Sequence, residues 1–143
     1  RGLGDVYKRQ HPVCAAAALK TQQLMSERNI IENVRKQSNL FNERISNIMN
    51  DHWFFSNSRS VGLIGAIEFG YEGNKKFDAK IKIAAQCVKA IQKSGVILRA
   101  LPGDIIGFCP PLIINQEQIN EMFDKIDKAI KNFDKMAKAL RKN

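Results

Sequence analysis

Arg99 is the one cation in the run Gly95-Val-Ile-Leu-Arg-Ala-Leu-Pro-Gly-Asp-Ile-Ile-Gly-Phe-Cys-Pro-Pro-Leu112, an apolar stretch punctuated by turn residues. A guanidinium resists burial unless an anion meets it. The only acid in the run is Asp104, across a Pro-Gly turn. Two fates are open to Arg99. Its head pairs with Asp104 or reaches solvent, or it offers a bidentate fork to a carboxylate ligand.

Other chemistry is scarce. The chain has no G-x-G-x-x-G, no G-x-x-x-x-G-K-[ST] and no G-x-S-x-G. Cys14, Cys87 and Cys109 are far apart, lack C-x-x-C spacing and do not pair with His11 or His52. Zinc and a disulfide framework are therefore set aside, and no metal site is expected. Each cysteine has apolar neighbours and reads as a small buried hydrophobe in a reducing compartment. Paired carboxylates fall on helices that read as exposed. The residues alone give a possible anion-recognition site and no catalytic machine.

The elements that would position Arg99 fit one domain. The chain has 143 residues, 44% hydrophobic and 26% charged. No run reaches the length of a membrane span, and the amino terminus has no apolar leader region. The formal charge of +9 is spread along helical segments with acids interleaved, and no basic stripe carries aromatics for base stacking. A solvated surface is the reading preferred over a nucleic-acid partner. Residues 5–10, Asp-Val-Tyr-Lys-Arg-Gln, resemble the in-frame translation of GATGTGTATAAGAGACAG, a transposase mosaic-end adapter used in sequencing libraries. Residues 1–10 are accordingly expected to be an adapter artefact or a disordered tail, and a natural protein would be interrupted just before His11.

Pro12 to Met25 predicts a helix from its proline start and alanine run. A second helix is predicted from about Glu27 to Asn50, with Ile31, Val34, Phe41, Ile45 and Ile48 at helical spacing and Ser38 interrupting. Asp51 to Asn57 reads as a connection and Val61 to Phe69 as a strand. Its glycines signal a bulge or another element's close approach. Asp78 is expected to cap a helix carrying Ile81, Ala84, Ala85, Val88 and Ile91, ended by Gly95. Val96–Leu101 and Asp104–Phe108 read as a hairpin, with a short further strand at Leu112–Ile114. Asn115-Gln-Glu-Gln118 is a capping-box signature before a last helix with Ile119, Met122, Phe123, Ile126, Ile130, Phe133 and Leu140 on one face. The order gives an α+β fold, a small antiparallel or mixed sheet covered by helices on one face.

Several of these segments together resemble the class III pyridoxal-phosphate aminotransferases, specifically the omega-amino acid–pyruvate group. His11-Pro-Val-Cys-Ala-Ala-Ala-Ala-Leu19 is similar to the family's G-H-P-[VA]-x-[CA]-A-A-A-L segment, with Gln10 where the family has Gly. Arg59-Ser-Val-Gly-Leu-Ile-Gly-Ala-Ile-Glu-Phe69 is similar to V-R-G-x-G-L-x-x-x-[IV]-E, with Ser60 in place of Gly. The Arg99 run is similar to G-[VL]-[IL]-x-R-x-x-G-D…P-P-L-[IV]-[IT], and Glu117-Gln-Ile-Asn-Glu-Met122 to E-[EQ]-[IL]-D-E-[ML]. The resemblance covers residues 11 to about 140.

The resemblance implies the C-terminal small domain of a fold-type I transferase, with connector helices at 11–52 and the small domain at 53–143. It implies a parent enzyme that holds pyridoxal 5'-phosphate on a lysine and moves an amino group from an amine or amino-acid donor to a keto acid such as pyruvate. In the family the lysine, the aspartate facing the pyridine nitrogen and the phosphate-binding elements all lie upstream of the His11 motif. No catalytic or cofactor-binding residue is then expected in this chain, and the chain alone is expected to be inactive. Arg99 matches the arginine that binds the keto acid's carboxylate and swings aside for apolar donors. A cytoplasmic homodimer is implied, with no membrane partner. Acetylornithine, ornithine or 4-aminobutyrate aminotransferases and glutamate-semialdehyde aminomutase are the same-class alternatives. A basic α+β nucleic-acid-binding module is the alternative of another class.

Overall fold

A computed structural model describes residues 11–72 and 75–141. The amino-terminal segment 1–10, set aside above, lies outside the described residues. Helix α1 (Pro12–Glu27) and helix α2 (Ile30–Asp51) come first, followed by strands β1 (Phe55–Val61) and β2 (Ile64–Phe69). A 3-10 turn (Ala79–Ile81), helix α3 (Ile83–Lys93), strands β3 (Arg99–Leu101) and β4 (Ile105–Phe108), and helix α4 (Gln116–Arg141) complete the chain. The four strands form one antiparallel sheet in the order β1-β2-β4-β3. No helix among the described residues is long and apolar enough to cross a membrane.

One face of the sheet carries the core. Phe41, Phe54, Phe69, Phe108 and Phe123 are fully buried, with Ile45 from α2, Ile67 from β2 and Ile83 and Ile91 from α3. Phe54 stacks on Phe69 at 5.9 Å, and Phe108 on Phe123 at 5.9 Å. Helix α2, grouped with the connector by its sequence, thus contributes Phe41, Ile45 and Ile48 to the same core as the sheet. Helix α1 buries no residue. The α1–α2 break is at Asn29, whose φ of 50° is the left-handed value asparagine tolerates.

The capping box forms as the sequence predicts. Gln118 N donates to Asn115 Oδ1 at 2.9 Å, and Asn115 N donates to Gln118 Oε1 at 3.1 Å. Gly95 follows α3 with a φ of 89°. Four expectations are corrected. The segment 51–69 is a hairpin, because Gly62 at φ 60° starts a two-residue turn with Val61 opposite Ile64. The turn leaves Phe55-Ser-Asn-Ser-Arg-Ser-Val61 as an edge strand, whose polar, solvent-facing residues hide it from a hydrophobic pattern. In α2 the buried seam runs through Ile30 and Gln37, while Ile31 is exposed. Asp78 caps the 3-10 turn through Lys80 N at 2.9 Å, and Lys82 at φ 51° separates that turn from α3. Leu112–Ile114 forms no strand.

The two strand glycines have different reasons. Gly62 makes the turn. Gly65 admits α2, since a Cβ built there falls 2.3 Å from Ile45 Cδ1 and 3.2 Å from Phe41 Cε1. Gly65→Ala is expected to cost ~1–3 kcal/mol by overpacking. Asn115→Ala is expected to cost about 1 kcal/mol and lower Tm by about 3 °C. Urea and thermal unfolding of both variants check these values. An unchanged Gly65→Ala midpoint would mean that α2 does not seat against β2.

Candidate functional site

The sheet's other face is open. Its outward positions include Val61 and Ile64, 84% and 62% exposed. Strand register places Arg59 opposite Ala66, Ala66 opposite Gly107, and Gly107 opposite Arg99. One row therefore crosses the sheet with an arginine at each end and two small residues between. Three inter-strand steps put the two arginine Cα atoms about 14 Å apart. A groove of about 480 Å³ lies over this row, lined also by Val61, Ile64, Leu101 and Cys109. Its floor is low because Gly107 has no side chain. A Cβ there would stand 3.0 Å from Leu101 Cδ1.

The two arginines are in opposite electrostatic states. Arg59 donates to Glu68 Oε1, and Lys76 Nζ lies 3.2 Å from Glu68 Oε2. The Arg59 hydrogen bond, then that of Lys76, hold the Glu68 carboxyl below its usual range against the opposing effect of desolvation. Arg99 is exposed and makes no hydrogen bond or ion pair among the described residues.

Asp104 does not pair with Arg99. Its Oδ1 accepts from Ala84 N at 3.3 Å, in the first turn of α3. The residue just before α3, Lys82, gives it no side-chain cap. Asp104 supplies that cap from the hairpin turn, where a carboxylate also complements the positive end of the helix. Its carbonyl accepts from Phe69 N at 3.0 Å, which joins the turn to β2. The Pro102–Asp104 turn holds Gly103 and Asp104 at φ 82° and 55°. Arg99 and Leu101 lie two residues apart on β3, so both face outward.

Asn33 has no reading in the sequence, yet it braces the same region. Its Nδ2 donates to Leu112 O at 2.8 Å and to Ile114 O at 3.1 Å. These bonds pin the chain just after Pro110-Pro111 to the start of α2. The separation of 79 to 81 residues hid them from local pattern. Arg59 and Glu68 were visible as motif residues, and their pairing follows only from the Gly62 turn. The cysteines divide. Cys87 is buried, and desolvation pushes its thiol up to about 12, as the small-hydrophobe reading expects. Cys14 and Cys109 are exposed, which corrects that reading: one lies on α1, which buries nothing, and the other on the groove edge.

The Glu68 pair makes a pH prediction with a definite sign. Its folded carboxyl is held low, so the stabilisation is present above the ordinary glutamate value near ~4.3 and is lost as pH falls through that region. Glu68→Gln is expected to flatten the stability decline between about pH 5 and pH 3. Urea midpoints across that range test it, and parallel wild-type and variant curves would refute it.

The chain can now be set beside known proteins. The family described as Aminotransferase class-III matches residues 4–130. An uncharacterised aminotransferase of Sinorhizobium fredii is 34% identical over 125 residues, 85% of this chain and 27% of that protein. The putrescine–pyruvate aminotransferase of Pseudomonas aeruginosa is 32% identical over 78% of this chain and 25% of its own length. Among solved structures, the omega-transferase of Vibrio fluvialis JS17 superposes with a TM-score of 0.82 at 31% identity, over 89% of this chain and 30% of that one. A transaminase from the marine bacterium Virgibacillus superposes equally well, with a TM-score of 0.82 at 30% identity over the same shares. The chain thus spans about a quarter of the length of the curated relatives it matches. Sequence match and superposition agree, and the chain belongs to the class-III aminotransferases.

Proposed function

We propose that this chain is the small domain of a longer omega-type aminotransferase, and that Arg99 binds the carboxylate of its keto-acid acceptor. The observation that carries this is the unpaired Arg99 guanidinium over an apolar groove, with the nearest acid in sequence, Asp104, engaged at α3. A fork of donors next to Leu101 meets a carboxylate bidentately at the edge of an apolar surface. The long side chain can withdraw when an amine donor has no carboxylate to offer. Glu68 neutralises Arg59, so the groove presents one free guanidinium, which favours a monocarboxylate acceptor such as pyruvate over a dicarboxylate.

Pyridoxal phosphate, the family's cofactor, would supply the electron sink for moving the amino group. The residues of this groove do not fit that cofactor by themselves. No lysine is among its lining residues, and Glu68, an outward carboxylate of β2, is held by Arg59 and Lys76. Arg99 is therefore assigned to substrate recognition, and the cofactor lysine is assigned to the part of the enzyme preceding His11. A homodimeric, cytoplasmic parent completes the proposal.

In the full-length enzyme, Arg99→Ala is expected to reduce kcat/KM for pyruvate by about 10- to 150-fold, the equivalent of ~1.5–3 kcal/mol for a charged hydrogen-bonding group. The half-reaction with a carboxylate-free amine should stay near wild type. Equal losses in both would remove Arg99 from acceptor recognition. The 143-residue chain mixed with pyridoxal phosphate should give no borohydride-reducible adduct at a defined lysine, as read by mass spectrometry. A stoichiometric adduct would overturn the assignment of the lysine elsewhere.

A further inference from the structure

A second groove lies away from the Arg99 face. It runs between α3 and α4, has a volume of about 900 Å³, and is bordered by Lys89, Lys93, Lys125 and Lys128. On α3, Gln86, Lys89, Ala90 and Lys93 form a stripe at helical spacing beside the buried stripe Ile83, Ala84, Cys87 and Ile91. On α4, Lys125, Lys128, Ala129, Asn132 and Met136 form the matching stripe. Ala90 and Ala129 keep the floor low, Phe133 closes it from beneath, and Met136 is 40% exposed at one end.

The charge of this groove is only partly compensated: Lys125 is paired with Glu121, and Lys89, Lys93 and Lys128 are not, among the described residues. Three acids of α4 are engaged along the helix in i,i+4 pairs: Glu121 with Lys125 at 2.5 Å, Asp127 with Lys131 at 2.6 Å and Asp134 with Lys138 at 2.6 Å. Asp124 pairs with Arg44 of α2. An apolar floor between cationic walls is the complement of a helix with an apolar stripe and acidic flanks.

We propose that the α3–α4 groove docks an acidic amphipathic helix of a partner protein. From Lys125 to Met136 the groove wall runs about 16 Å, which is three helical turns. The small floor residues let an incoming leucine or isoleucine reach Ala90 and the exposed Met136, while glutamates on either side meet Lys89 and Lys93 on α3 and Lys128 on α4. A second copy of this chain is a poor occupant, because its own matching face is cationic. Nucleic acid is a poor occupant too: Phe133 is buried, so the groove presents no aromatic face for a base. The inference does not rest on the reading of Arg99.

The test uses the 143-residue chain and a fluorescein-labelled peptide of about 14 residues, with leucines at i, i+3, i+4 and i+7 and glutamates flanking them. Binding is expected at low salt, with amide shifts confined to residues 86–94 and 125–136. A peptide with serines for the leucines should bind at least about tenfold more weakly, and so should Lys89→Glu/Lys128→Glu toward the original peptide. Met136→Ser leaves the charge intact and should also weaken binding. The lysines and Met136 are exposed, and unchanged melting temperatures will verify the variants. The proposal fails if the leucine-free peptide or a short oligonucleotide binds as tightly. It also fails if the shifts map elsewhere, if neither variant weakens binding, or if no binding occurs at low salt.

Discussion

The carboxylate of Asp104 sits on an amide in the first turn of α3 rather than on the guanidinium of Arg99. That bond serves both ends. It caps a helix whose preceding residue, Lys82, gives no side-chain cap, and it ties the β3–β4 turn to the layer behind the sheet. The Asp104 carbonyl adds a second tie through Phe69 N. With its acid engaged elsewhere, the hairpin presents an arginine that no neighbour neutralises. A backbone turned into left-handed φ at Gly103 and Asp104 is the local cost of this arrangement, and the two bonds to α3 and β2 offset it.

The sheet converts this local state into a site because its two faces are chemically unlike. Phenylalanines and isoleucines fill the face under α2, α3 and α4, and the period of two sends the intervening residues outward. The outward row of Arg59, Ala66, Gly107 and Arg99 is fixed by three registers at once. A slip of one residue in β4 would replace Gly107 with a side chain and bury Arg99 against the core. The core packing of Ile67, Ile106 and Phe108 therefore sets the groove as firmly as any residue that lines it.

Most of the helices, the β3–β4 hairpin and the capping box were legible because each follows from spacing or a single residue type. Asn115 and Gln118 are three apart, and their reciprocal bonds form as that spacing implies. Strand β1 was not legible. Its sequence, Phe-Ser-Asn-Ser-Arg-Ser-Val, is polar because it is an edge, and its partner identifies it only through the Gly62 turn. Arg99 could be singled out as a lone cation in an apolar run. That Asp104 would not answer it depended on the position of Ala84, 20 residues earlier. Asn33 depended on a contact across the whole domain. Local pattern carries no such information.

Net charge is a poor guide to partners here, and its distribution explains why. A formal +9 suggests a general polyanion surface, yet the cations are not in one field. Many are matched along helices, as in α4, where pairs four residues apart satisfy the acids within the helix. Among the described residues, two of the places that escape this matching lie at grooves, for different geometric reasons. On the sheet, Arg99 escapes because Asp104 is turned to α3. Between α3 and α4, lysines of two helices border a floor of alanines, and among the described residues only Lys125 of that group has an acid partner, Glu121. Unmatched charge beside an apolar surface discriminates partners by shape as well as sign. The two grooves differ accordingly: one free fork fits a single carboxylate, and two lysine walls fit an extended acidic face.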